Sequence, residues 1–382
     1  MSMIPALPLT WLEINKRALF HNLASFKELI GPTAMLAPVV KSNAYGHGLI
    51  PIATLCEQNE YVAWLCVLSL SEAVTLRLQG IKKPILVLSV LDLPVAEAII
   101  YDIDFTIYSM DALTQAETEG RRLKKAARIH VKVDTGLSRL GLLPAAAFSL
   151  IEHAQRLPHV EIRGVFTHLS DAESAEPSYC KVQLQRFKDF TQALDKAGIP
   201  IPFKHVSCTA AASTFMRNQT EHLIARCGLG IYGLWPTPLL KQKTVKYLTH
   251  GDIEPVLTWK TRIIHLNTVP AHSFIGYDCT YQTTTPTLIA TLPVGYWDGL
   301  DRELSNKASV IINDHVAPIR GRIAMNLCMV DVTHIPKVKV GDIATILGNH
   351  PLISAEAHAA WANTINYEIV TRINPLLPRI IV

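Results

Sequence analysis

Over about the first 240 residues, short apolar runs alternate with amphipathic stretches. The runs are 35–40, 62–70, 84–90, 103–108, 127–133, 160–166, 202–207 and 223–229. Between several of them lie segments with helical spacing, such as 71–79 and 182–196. The latter has apolar residues at 182, 184, 187, 190 and 194. Near-continuous apolar strands separated by helices predict a parallel sheet buried on both faces. Eight such strands predict a closed α/β barrel of the (β/α)8, TIM-like type, rather than an open doubly wound sheet.

Beyond Tyr247 the pattern changes. Helical periodicity stops, and strand-like runs follow one another, punctuated by Gly251-Asp252, Asn313-Asp314 and Gly341-Asp342. A second, mainly β domain is expected there. The expected division is a barrel over 12–245 and a C-terminal β domain over 246–382, with residues 1–11 packing against the latter.

Composition narrows the class. The chain has 382 residues, 49% hydrophobic and 18% charged, which suits a large buried core and excludes disorder. A net charge of +4 gives no reason to expect nucleic acid as partner. The one basic run, Gly120–Arg128, lacks interleaved aromatics and is expected on the solvated outer face of a barrel helix. The seven cysteines are scattered without a C-x-x-C pair, which argues against a disulfide scaffold or zinc site and suits a reducing cytoplasm. No charged leader precedes an apolar stretch at the N-terminus. The longest apolar stretches are about half the ~20 residues of a membrane span, so no membrane partner is expected.

Four segments carry candidate chemistry. VVKSNAYGHG (39–48) ends an apolar strand in Lys41 and continues into a short polar loop. Catalytic residues of such barrels sit at strand C-terminal ends, and a lysine held between apolar walls there acts as an imine-forming nucleophile or base. The plain alternative is a snorkelling lysine, against which stand Asn43, Tyr45 and His47 crowding the same turn. HVKVDTGLSRLG (130–141) places Lys132 and Asp134 on one strand face, so that both enter the barrel mouth or both pair structurally. GVFTHLS (164–170) puts His168 just past a strand, and RCGLGIYG (226–233) has dinucleotide-type glycine spacing. A nucleotide fold needs a helix next; two prolines follow instead, leaving only glycine-rich amides suited to a phosphate. In the β domain, FIGYDCTYQ and LPVGYWDGLDR offer Tyr277, Tyr281, Tyr296, Asp298 and Arg302.

Together these segments resemble alanine racemases, two-domain enzymes dependent on pyridoxal 5'-phosphate, from about Leu12 to Tyr367 and in the family's order. The resemblance implies that Lys41 holds the cofactor and acts as one base, and that Tyr277 in IGYDCTY is the second base. It implies a head-to-tail homodimer in which Tyr277 reaches the partner's cofactor. Arg226 corresponds to the arginine facing the pyridine nitrogen. Tyr45, Thr209, Gly228, Leu229 and Tyr367 correspond to the phosphate-binding set. Arg139 corresponds to the ligand of the substrate carboxylate, Met325 to a backbone contact with substrate, His168 to a histidine linked to the second base, and Lys132 to a lysine often carbamylated. The implied function is interconversion of L- and D-alanine, supplying D-alanine for peptidoglycan, in the cytoplasm.

Three positions depart from the family's usual pattern: Cys208 stands where an amide is usual, Asn326 where an aspartate is usual, and Trp297 where small residues are common. Cys208 and Cys227 also lie beside the expected phosphate cradle, where thiol modification is expected to disturb the cofactor. The alternatives are a broad-specificity or serine racemase, a non-catalytic pyridoxal-phosphate carrier, and a decarboxylase of the same architecture. The carrier would need neither β domain nor Tyr277. The decarboxylase would use a cysteine at the entrance, for which Cys328 lacks the surrounding motif.

Overall fold

The computed structural model describes residues 8–214 and 224–382. Its first strand, β1 (Thr10–Ile14), does not join the barrel but pairs antiparallel with Leu257–Arg262, far along the chain. Residues 1–7, part of the segment expected to pack with the β domain, lie outside the described residues, as does position 223 of the eighth apolar run.

The eight apolar runs become β2 (Met35–Pro38), β3 (Leu65–Ser69), β4 (Ile85–Val90), β5 (Asp104–Ile107), β6 (Ala127–Lys132), β7 (Val160–Phe166), β8 (Phe203–His205) and β9 (Ile224–Cys227). Strands β3 to β8 form one parallel sheet in sequence order, and β2 pairs in parallel with β9. Single bridges complete the ring: Val39 with Cys66 joins β2 to β3, and Cys208 with Arg226 joins the end of β8 to β9. The strands are short because each needs to span only the barrel wall, and β5 and β9 are buried along their whole length.

Helices fill the connections and start where side chains satisfy the open backbone amides. Asn15 accepts from Ala18 N at the head of Lys16–Ile30, Ser69 caps Leu70–Leu78, and Ser109 caps Met110–Leu123. The helical part of the basic run and its cap are solvent-exposed as expected, at Arg121, Arg122 and Lys124. The helix stops at Leu123, Lys124 adopts φ 54°, and the remainder enters β6, where Lys125 pairs with Asp102 and Arg128 with Asp104, both at 2.9 Å.

The remaining strands are β10 (Leu257–Arg262), β11 (His265–Val269), β12 (Thr287–Leu292), β13 (Ser309–Ile312), β14 (His315–Pro318), β15 (Cys328–Asp331), β16 (Ile343–Leu347) and β17 (Arg379–Ile381). They form a six-stranded sheet ordered β14-β13-β16-β10-β1-β17 and a three-stranded sheet β11-β12-β15. Asn313 and Asp314 both take positive φ, the backbone a two-residue hairpin turn demands between β13 and β14. Helices do return late in the chain, as Ala355–Ala362 and Asn366–Thr371. They are too short for their periodicity to stand out, and packing against the barrel stabilises them. Asn366 Nδ2 donates to Trp235 O at 2.9 Å, and Gly46 meets Val370 so closely that a Cβ would lie 1.9 Å from its carbonyl oxygen. Among the described residues, no helix is long and apolar enough to cross a membrane.

Candidate active site

The C-terminal ends of the barrel strands surround a cavity of about 610 Å³. Lys41, at its wall, follows β2 directly. The chain then makes a left-handed turn, with φ between 52° and 56° at Ser42, Asn43, Ala44 and Tyr45. Such a turn is disfavoured by about 1–2 kcal/mol per residue, so outside bonds must hold it. Ser42 N donates to Glu72 Oε1 at 2.7 Å, Leu49 N to Asn43 Oδ1 at 2.9 Å, and Gly46 ends the turn at φ 82°. Sequence reasoning read this stretch as a loop, because left-handed geometry in non-glycine residues leaves no periodic signal.

Nine of the barrel candidates line this one cavity: Lys41, Tyr45, Lys132, Arg139, His168, Thr209, Arg226, Gly228 and Leu229. Tyr367 enters from the late helix Asn366–Thr371 and lines it too. Burial lowers the affinity of Lys41 for its proton, helped by Arg139 and opposed by Glu72. Burial, with Arg226, Arg139 and Lys41 nearby, brings Lys132 down to about 8. The same cations act on His168 after burial, bringing it to about 3, so its ring is neutral.

Arg226 is buried, and its guanidinium is tied down on the inner side. Nη1 bonds His205 Nδ1 at 2.7 Å, Nη2 donates to Thr167 O at 2.8 Å, and His168 Nδ1 lies 3.5 Å away. Next to it, Gly228 N donates to Thr209 Oγ1 at 2.9 Å, and a Cβ on Gly228 would fall 2.5 Å from Tyr45 Oη. A side chain there would have to displace the Tyr45 phenol. The dinucleotide-like spacing proves to be a single 3₁₀ turn, Leu229–Tyr232, opening at the cavity.

Some expectations need correction. Lys132 lines the cavity but Asp134 does not, and the two side chains form no ion pair among the described residues. Asp134 Oδ1 instead accepts from the amides of Gly136, Leu137 and Ser138 and shapes its own loop. Cys227 is fully buried, out of reach of a modifying reagent, whereas Cys208 lines the cavity with a thiol that burial pushes up. Cys328 is also fully buried and so is no entrance residue.

Tyr277 and Met325 stand apart from the cavity of their own chain, exposed on the β domain. Tyr277 is 69% exposed at the tip of a loop closed by the Phe274–Gln282 bridge and by Ile275 N donating to Tyr281 O. Asp278 beside it faces Arg302 at 3.4 Å and Arg322 at 3.5 Å. Trp297 and Met325 are neighbours there, joined by Trp297 N donating to Met325 O.

The cavity thus holds four cationic side chains against Asp171 and Glu173, which suits a ligand carrying several negative charges. Residues 14–236 match the alanine racemase N-terminal domain, and residues 256–381 match the alanine racemase C-terminal domain. The chain belongs to the alanine racemase family. Alanine racemase of Methanococcus maripaludis is 36% identical over 97% of this chain and 98% of its own length. That of Halothermothrix orenii is 38% identical over 97% and 96%. Among solved structures, alanine racemase of Clostridium difficile superposes with a TM-score of 0.90 at 32% identity, covering 98% of this chain and 96% of its own. Alanine racemase of Bacillus anthracis, solved with bound L-Ala-P, gives 0.88 at 30% identity over 99% and 96%. The family's pyridoxal phosphate fits what the site presents: a cavity of suitable size, a lysine of lowered proton affinity, a glycine cradle at Gly228 against which the Tyr45 phenol packs, and surplus positive charge.

Sequence reasoning overlooked Asp104, His130 and His205, all buried in the barrel. A signal was present: β6 reads Arg128, His130, Lys132 at alternate positions, an inward polar row in a strand otherwise apolar.

Proposed function

We propose that this protein racemises alanine, using pyridoxal phosphate held in the barrel cavity and a second base lent by another copy of the chain. One observation carries the reading: Lys41, with lowered proton affinity, shares a cavity with a buried arginine that no carboxylate touches among the described residues. Lys41 would hold the cofactor. Tyr45, Thr209, Tyr367 and the amides of Gly228 and Leu229 would hold its phosphate, and Arg226 its ring nitrogen. Bound there, the cofactor supplies the electron sink that makes the Cα–H bond of an amino acid acidic.

Racemisation removes a proton from one face of Cα and returns one to the other, so two bases on opposite faces are needed. Lys41 serves the D-alanine face and Tyr277 of a second subunit the L-alanine face. Arg139 takes the substrate carboxylate, and Met325 offers a backbone contact. His168, neutral and beside Arg226, orients the incoming phenol. An arginine at the ring nitrogen donates but gives up no proton, which restrains charge build-up and disfavours transamination. Lys132 is the candidate for carbamylation: near pH 8 much of it is a neutral amine, and Arg226, Arg139 and Lys41 would stabilise the resulting anion.

The exposed Tyr277 surface supports a head-to-tail homodimer, and free cysteines throughout the described residues support the cytoplasm. Tyr367 in the cavity favours a methyl-sized side chain over serine or larger substrates. The boundary is taken at 245/246, with the expected barrel start at 12 moved past Ile14, because Thr10–Ile14 pairs with the β domain; the role is the supply of D-alanine for peptidoglycan. Incubating the protein and cofactor with single L-amino acids and resolving the products by chirality tests this. The expected result is rapid racemisation of alanine and little of any other. No loss of optical purity would refute it.

A further inference from the structure

The barrel interior holds a compact apolar cluster beside a column of polar side chains. Ala37, Val39, Trp64, Cys66, Leu86 and Ile224 make up the cluster. The column is buried and takes one residue each from β9, β8, β6 and β5: Arg226, His205, His130 and Asp104. Barrel interiors are normally filled by branched apolar side chains, and a buried polar column destabilises unless each member is paired.

The contacts are sequential. Arg226 Nη1 meets His205 Nδ1 at 2.7 Å, His205 Nε2 meets His130 Nδ1 at 3.0 Å, and His130 Nε2 faces Asp104 Oδ2 at 3.4 Å. The last contact falls outside hydrogen-bond geometry, and both atoms are buried without a hydrogen-bond partner among the described residues, so each is the nearest polar group left to satisfy the other. Asp104 Oδ1 is held by Arg128 Nε at 2.9 Å, and Arg163 Nε lies 3.6 Å from Oδ2.

Chemistry sets the direction of this chain. A guanidinium only donates, so His205 Nδ1 accepts and His205 carries its proton on Nε2. That proton goes to His130 Nδ1, which places the His130 proton on Nε2, aimed at a carboxylate that only accepts. Burial keeps His130 below its ordinary proton affinity, consistent with a neutral ring.

We propose that Asp104 is a positioning residue for Arg226, acting through His130 and His205 as a one-way donor chain from the cofactor cavity to the opposite end of the barrel. The chain fixes both imidazole tautomers and so keeps an acceptor in place for Arg226. Without Asp104, the His130 proton loses its acceptor, both rings are free to switch tautomer, and a protonated His205 Nδ1 would oppose the guanidinium. The proposal deepens the racemase reading and rests on it only where turnover is measured.

The competing reading is that Asp104 merely straps β5 to β6 through Arg128. His130→Phe separates the two, because it leaves that ion pair intact. Nitrogen NMR of histidine-labelled protein should show His130 and His205 as neutral Nε2–H tautomers. In Asp104→Leu and His130→Phe, the His205 signal should move toward a mixture of tautomers. Turnover of alanine should fall about tenfold with KM changed less than about twofold. Asp104→Asn, whose amide oxygen still accepts, should keep the tautomers and most of the turnover. An Nδ1–H tautomer at His205 in the unmodified protein would overturn the proposal. So would unchanged spectra and turnover in His130→Phe, which decides the matter even if Asp104→Leu does not fold. Absence of alanine turnover in the unmodified protein would refute the racemase reading instead, and the spectra would still judge the donor chain.

Discussion

The barrel mouth and the Phe274–Gln282 loop both carry candidate bases, and they are built in opposite ways. Lys41 is gripped by a left-handed turn, shares its cavity with Lys132, Arg139 and Arg226, and holds its proton less tightly because it is buried. Tyr277 stands in the open at a loop tip braced by Asp278, Arg302 and Arg322. The first base is tuned inside its own chain. The second has a scaffold but no chemical environment until another surface covers it. In the proposed head-to-tail dimer, one chain would contribute the tuned interior and the other a braced probe.

Lys41→Ala should have the largest effect. Losing both a base and the cofactor's anchor should cost at least about a thousandfold in turnover. Borohydride treatment followed by intact-protein mass measurement should then find no cofactor adduct; an adduct of unchanged yield would move the anchor elsewhere.

Tyr277→Phe should lower racemisation by about 10²–10⁴-fold while sparing exchange of the D-alanine α-hydrogen in deuterated water. Equal survival of exchange from L-alanine would contradict the face assignment. Co-expressing this variant with Lys41→Ala sharpens the comparison. A hybrid dimer then keeps one intact site, so an equal random mixture should recover about a quarter of normal activity. No recovery would mean that both bases come from one chain.

At the cradle, Gly228→Ala should push Tyr45 aside, because its Cβ would meet the phenol oxygen at 2.5 Å. Cofactor affinity should weaken about tenfold, or ~1.4 kcal/mol, by equilibrium dialysis. The last effect is on stability and not on turnover or cofactor affinity. Lys132 sits near 8 in the folded protein against 10.5 when unfolded. Below pH 8 its buried ammonium therefore opposes folding, and stability is recovered as pH rises from about 8 to 10.5. In bicarbonate-free buffer Lys132→Met should be more stable by about 1–3 kcal/mol at pH 7, with the gain shrinking toward pH 10.5. Urea titrations at pH 7 and 10 would show it; a pH-independent difference would mean that Lys132 is not burdened by charge.

Much of this architecture is legible in the sequence because burial imposes period. Eight apolar runs become eight barrel strands, since each must be dry on both faces. The barrel candidates were legible because strand ends are where such folds keep reactive groups. The late helix bearing Tyr367 was not, because six residues carry no reliable periodicity and its stability comes from contacts with Gly46 and Trp235. Asp104, His130 and His205 were hidden differently: isolated polar residues in apolar strands look like ordinary exceptions until three dimensions align them.

The left-handed turn after Lys41 has a consequence for when the protein becomes reactive. No local preference favours that backbone, and what holds it comes from Glu72 on another helix and from the close fit of Gly46 against Val370. A nascent or half-assembled chain therefore has every atom of the reactive lysine but not its presentation. The placing of Lys41 at the cavity wall is thus set by segments distant in sequence and not by its own stretch of chain.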